Sequence, residues 1–266
     1  MKIVIFVSLV IIALLFSNCS GTNTDSNPAH DAREFYQLKI YSFSNNEQQQ
    51  VTEQYLKEAF LPALKVMEIG PIGIFNKKLS ESDSIMQTFV LLPFSSLDQF
   101  NQLERALSQD TKHLTAGSAY LNAPFDNPPY ARIETILLRA FKDMPKMRPS
   151  ALTGARTDRI YELRSYESAT EKIFANKVDM FNEGGEITLF DKLKFNAIFY
   201  GEVIAGPKMP NLMYMTTHAD ANSRAINWKN FVDSPEWKEI SSMEKYQNNV
   251  SHIDITFLYP TEYSDY

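Results

Sequence analysis

The chain has 266 residues, of which 44% are apolar and 22% charged, and it carries a net charge of −6. That composition excludes a disordered chain, and 26 Lys and Arg scattered without a basic stripe give no footprint of a nucleic-acid partner. The single cysteine excludes an intramolecular disulfide.

Lys2 precedes an apolar run, Ile3–Phe16, that is short for a membrane-spanning helix and has the anatomy of a secretory signal. Residues 1–18 are therefore expected to be a signal peptide. Leu15-Phe16-Ser17-Asn18-Cys19 resembles a bacterial lipoprotein box, in which the cysteine is lipidated and becomes the new N-terminus. An ordinary signal peptide with an incidental cysteine is the competing reading. The polar stretch that completes residues 19–33 suits a flexible tether. The expectation is a protein of the bacterial cell envelope, lipid-anchored to a membrane through Cys19 and facing the periplasm or the exterior.

From Glu34 onward the elements alternate. Glu34–Phe43 reads as a strand and Glu47–Ile69 as a helix with Val51, Tyr55, Ala59, Phe60 and Leu64 on one face, disturbed by Pro62. Strands follow at Ile74–Lys78 and Ser84–Leu92, then a helix from Leu97 to Ser108 capped by Ser96, and a closing strand at Tyr130–Phe141. Residues 142–156, with Pro145, Pro149 and Gly154, read as a linker. The order then repeats: a strand at Arg159–Tyr166, a helix over Thr170–Lys194 interrupted at Gly184-Gly185, and strands at Phe195–Ile204 and Asn211–His218. A helix over Ala219–Phe231, a fresh start at Ser234-Pro235, and a strand at His252–Tyr259 complete it. The two opening strands align without a gap, Tyr36 with Tyr161, Leu38 with Leu163, Lys39 with Arg164 and Tyr41 with Tyr166, as a duplicated unit requires. The units span residues 34–141 and 157–266.

Two βαββαβ units predict an α+β fold of two tandem ferredoxin-like units whose sheets form an intrachain dimeric α/β barrel. On each first strand one face carries Tyr36, Leu38 and Ile40, or Tyr161, Leu163 and Ser165, and this face is expected under the helices. The other carries Gln37, Lys39 and Tyr41, or Glu162, Arg164 and Tyr166, and is expected to line the barrel. A register slip of one residue would exchange the faces.

The second half resembles the NIPSNAP family of the dimeric α/β-barrel superfamily. The resemblance rests on Tyr161-Glu162-Leu163-Arg164-Ser165-Tyr166, Gly201-Glu202-Val203, Asn211-Leu212-Met213-Tyr214, and Arg224 to Phe231 with Ser234-Pro235-Glu236-Trp237. It implies the barrel within one chain and names no settled reaction. Where His218 stands the family is commonly aromatic. Relatives elsewhere in the superfamily include monooxygenases and isomerases, a likeness of fold alone.

No Gly-rich phosphate loop, His-x-x-x-His or Gly-x-Ser-x-Gly elbow is present, and His30, His113, His218 and His252 are far apart, so no metal and no cofactor is expected. His113, near a helix end, is expected in solvent. The candidate ligand-binding set is Glu162, Arg164, Tyr166, Tyr200, Glu202, Tyr214 and His218, read as a barrel interior that combines carboxylate, guanidinium and phenols. Two readings of it stay open. It binds a small molecule or protein partner without chemistry, or it serves a cofactor-independent or haem-related monooxygenase or isomerase. A third is that Arg164 pairs with Glu162 or Glu202 and fills the barrel. Trp228 and Trp237 read as packing, Glu183-Gly184-Gly185-Glu186 as a helix junction, and a homo-oligomer is open.

Overall fold

The longer helices start at a short polar side chain. Asn45, Ser96, Thr170, Asp220 and Ser234 accept from backbone N–H groups of the first turns that follow them. The computed structural model describes residues 33–80 and 85–266; the expected signal peptide, Cys19, His30 and the tether up to residue 32 lie outside them.

The first half consists of β1 (Phe35–Phe43), α1 (Asn46–Tyr55), a π-helical turn (Leu56–Phe60), α2 (Leu61–Val66), β2 (Gly73–Lys77), β3 (Met86–Phe94), α3 (Leu97–Gln109), α4 (Thr111–Ala116), α5 (Ser118–Leu121) and β4 (Arg132–Ala140). The π-helical turn immediately precedes the segment that carries Pro62. The second half consists of β5 (Ile160–Glu167), α6 (Glu171–Phe181), α7 (Glu186–Lys192), β6 (Ala197–Ala205), β7 (Asn211–His218), α8 (Ala221–Asp233), α9 (Pro235–Ser242) and β8 (His252–Pro260). Among the described residues no helix is long and apolar enough to cross a membrane.

The eight strands close into one antiparallel barrel in the order β1-β3-β2-β8-β5-β7-β6-β4. Each half contributes its strands in the same order, β4-β1-β3-β2 and β8-β5-β7-β6, and the halves meet at β2–β8 and β4–β6. The α+β barrel of two ferredoxin-like halves is the fold expected from the element order.

The assignment of faces is corrected. Tyr36 and Leu38, with Tyr161 and Leu163, point into the barrel, where they pack with Phe89, Leu138, Phe199 and Met215. Tyr41 points out under the first-half helices, and Tyr166, Tyr200 and Tyr214 point out under the second-half helices. The reversal has a physical cause. Both faces of these strands are buried, so alternation shows that two faces exist but not which is which. The barrel interior takes the more apolar set. The helices bring charged partners of their own and accommodate the polar set.

The linker is not a free connector. Met144 is buried in the second-half helix layer and Met147 in the barrel. His113 is also corrected: it is buried, 3.0 Å from the Tyr55 hydroxyl through Nε2 and 3.1 Å from the Leu107 carbonyl through Nδ1. A burial that depends on Tyr55, 58 residues away, has no local sequence sign.

Candidate functional site

The second-half layer between sheet and helices holds most of the buried charge. Glu162 on β5 is wholly buried, and a carboxylate there needs several donors to stay ionised. Arg224 on α8 supplies two, Nε at 2.7 Å to Oε2 and NH2 at 2.8 Å to Oε1, and the Trp228 indole N–H donates at 2.9 Å. This fork-to-carboxylate pairing pins α8 to β5. His218 lies 3.7 Å from the same carboxylate, and its Nδ1 faces Asn227 at 3.2 Å. Burial pulls its pKa down to about 4, assisted by the charge of Arg224 and opposed by that of Glu162, so the ring is neutral near pH 7.

A second ion pair lies deeper in the layer. The αL residue Gly185 ends the break between α6 and α7 and starts α7 at Glu186, whose Oε2 accepts from Lys177 Nζ at 2.8 Å. Both side chains are buried. The Lys177 ammonium also sits 4.6 Å from the Phe181 ring centre, so an aromatic face shares the charge. The glycine pair is a helix junction, and the junction sets a buried carboxylate in place.

Arg164 stands between the two pairs. Its guanidinium lies 4.2 Å over Trp228 and 5.5 Å from the centre of Tyr166, with the nearest carboxylate oxygen, of Glu162, at 3.6 Å. Only 11% of the side chain is exposed, and its buried Nε has no hydrogen-bond partner among the described residues. Behind it the Tyr166 and Tyr214 hydroxyls meet at 2.8 Å. Burial pushes the Tyr166 phenol up to about 12, against the pull of Arg164. Arg164, Tyr166, Lys177, Glu186, Trp228 and Trp237 line a cavity of about 410 Å³ beneath α8 and α9.

The candidate set is thus partly brought together and partly not. Glu162, Arg164, Tyr166, Tyr200, Tyr214 and His218 share the helix-covered face rather than the barrel interior. Tyr200 is fully buried, with Tyr214 centred 5.5 Å away. Glu202 is elsewhere, held by Arg139 Nε at 2.9 Å and Arg33 at 3.2 Å. Arg224, Lys177 and Glu186 were missed. Lys177 carried a signal, since it interrupts the apolar stripe between Phe174 and Phe181 at helical spacing. A group suited to a metal also went unforeseen, because Glu167, His252 and Asp254 lie on two strands 85 residues apart in chain order. Their ligand atoms lie within 4.8 Å of one another at one end of the barrel, where Lys208 Nζ is 2.5 Å from Asp254.

The NIPSNAP family model matches residues 161–265, nearly all of the second half. Across 86% of the chain, the fold is similar to that of a candidate monooxygenase from Lactobacillus acidophilus, at 11% identity, 94% coverage of that chain and a TM-score of 0.55. A candidate monooxygenase from Fusobacterium nucleatum is similar over 86% of this chain and 93% of its own, at 7% identity and a TM-score of 0.52. A NIPSNAP family protein from Agrobacterium tumefaciens is 20% identical over 40% of this chain and 96% of its own, with a TM-score of 0.35. No curated protein matches the chain.

Proposed function

We propose that the second half is a NIPSNAP-type binding unit that takes a small anionic molecule with a flat apolar body into the cavity beneath α8 and α9. The observation that carries this is the state of Arg164. A guanidinium offers five N–H donors in a planar fork; here the buried Nε has no hydrogen-bond partner among the described residues, and the Glu162 carboxylate stands off at 3.6 Å from NH1. A cation removed from water with its donors only partly matched is costly, and a carboxylate or phosphate docked on the fork would offset that cost. Trp228 and Trp237 supply aromatic surface for the apolar body, and Lys177 and Arg164 outnumber Glu186 on the wall.

The protein acts at the bacterial envelope in this reading, held there by a lipid on Cys19. Two experiments test it. Native mass spectrometry of the purified protein is expected to find a retained anionic molecule that Arg164→Ala releases while circular dichroism stays unchanged. Retention in that variant would remove the site. A Cys19→Ser variant is expected to leave the membrane fraction, and its persistence there would remove the anchor without touching the cavity.

A further inference from the structure

At one mouth of the barrel the ladder sets Glu167 of β5 opposite Asn211 of β7 on one side and opposite His252 of β8 on the other. Residues paired in this way share a face, and this is the face that turns Leu163, Met213 and Leu258 into the barrel. Asp254 follows two residues along β8 on the same face. His252 Nε2 lies 3.1 Å from Asp254 Oδ1, while Lys208, reaching over from the turn between β6 and β7, takes the other oxygen, Oδ2, at 2.5 Å. At ~2.0–2.2 Å from an ion, neighbouring corners of a tetrahedron stand roughly 3.4 Å apart, close to the spacing of this imidazole and carboxylate. Glu167 offers an oxygen within 4.8 Å of both and is only partly buried, so a rotation of its side chain closes the gap.

Three carboxylates, of Asp254, Glu167 and Glu134, act on the one ammonium of Lys208. Lys77 and Lys78 stand level with Leu258 and Phe257, about 10 Å or more along β8 from Asp254 at ~3.4 Å per residue. Asn211 independently marks a ligand. Its side chain is 2% exposed and lines the same cavity, of about 620 Å³, as Asp254 and Lys208. The amide nitrogen donates to Ser165 Oγ, and the oxygen has no partner among the described residues. A lone oxygen can only accept, which suits a cation or the water a cation carries.

We infer that Glu167, His252 and Asp254 hold a divalent transition-metal ion at this mouth, through one oxygen of each acid and Nε2 of the imidazole. The imidazole selects against magnesium and calcium, which take oxygen ligands. Three protein ligands leave a coordination position open, and the Asn211 oxygen on the cavity side accepts from the water that fills it. Lys208 keeps Oδ2 of Asp254, leaves Oδ1 to the ion, and opposes the ion by its charge. None of the three ligands lines the Arg164 cavity, so either site can fail alone.

The test is equilibrium dialysis of the untagged full chain, stripped with chelator, against Zn²⁺, with bound metal read by mass spectrometry. One ion per chain is expected, and a large excess of Mg²⁺ is expected not to displace it. His252→Ala and Glu167→Gln are each expected to weaken binding at least about tenfold, and Arg164→Ala to leave it unchanged. Lys208→Met is expected to tighten it about fivefold, because a like charge near the ion is removed. Should a variant misfold, the unaltered chain decides the matter: Zn²⁺ is expected to protect His252 from diethyl pyrocarbonate, read in its peptide. No bound ion, binding unchanged in His252→Ala, weaker binding in Lys208→Met, or modification of His252 unaffected by Zn²⁺ overturns the site.

Discussion

The two halves lay the same strands in the same order, yet their helix-covered layers are built from different chemistry. In the first half the layer is filled with rings and aliphatic groups: Tyr55 stacks on Tyr120 at 3.9 Å, and Leu56, Phe60 and Leu64 are buried beside it. The cation there, Lys39, is buried to the same degree as its second-half counterpart but has different company, lying 5.4 Å from the Phe60 ring centre and 3.8 Å from an exposed Glu104. In the second half the equivalent residue is Arg164, sunk among Trp228, Tyr166 and two buried carboxylates. Gln37, a neutral amide, stands where the second half has Glu162. The two halves together close one barrel. Buried charge was concentrated on one side, and a layer that gives up apolar contacts for ion pairs marks where binding chemistry is to be sought.

That contrast can be broken by mutation. The largest expected effect is from Glu162→Ala, which strips the half-buried Arg224, the Trp228 indole N–H and the more deeply buried Arg164 of their carboxylate and is expected to cost about 3 kcal/mol in denaturant unfolding. Gln37→Ala at the matching position is expected to cost about 1 kcal/mol. Equal losses would mean the layers are energetically alike. Lys177→Met is expected to destabilise nearly as much as Glu162→Ala by stranding Glu186, and the double variant Lys177→Met/Glu186→Leu to regain most of the loss.

Acid is expected to act next. His218 has an ordinary value near 6.5 and about 4 in the fold, so the unfolded chain takes up the proton first. Its contribution is therefore full above pH 6.5 and is lost as pH falls toward 4, a span of about 3 kcal/mol. Unfolding curves of His218→Asn between these pH values are expected to show a slope shallower by that amount. An unchanged slope would place the titrating group elsewhere. The smallest effect belongs to the first half: Tyr55→Phe removes one hydrogen bond to His113 and is expected to cost about 1 kcal/mol.

The barrel was legible because it rests on local signals. Ser96 and Ser234-Pro235 mark helix starts, and Phe-Tyr-Gln-Leu-Lys-Ile-Tyr matched by Ile-Tyr-Glu-Leu-Arg-Ser-Tyr marks the opening strand of each half. The inside of the barrel was not legible. Leu163 and Arg164 alternate as they would in either orientation, and only the closure of the sheet decides which of them faces the barrel interior and which meets helix. The site was half legible for a related reason. Glu162, Arg164 and Tyr166 sit on one strand, so their grouping is local. Arg224 and Trp228 reach Glu162 across more than 60 residues, a contact that periodicity does not encode.

The central claim is that Arg164, and not its counterpart in the first half, holds a ligand. The most direct measurement is native mass spectrometry on three proteins prepared side by side: the unaltered chain, Arg164→Ala and Lys39→Ala. Bound mass in the unaltered chain and in Lys39→Ala, with none in Arg164→Ala, is the predicted result. Bound mass kept in Arg164→Ala, or lost in both variants, would contradict it.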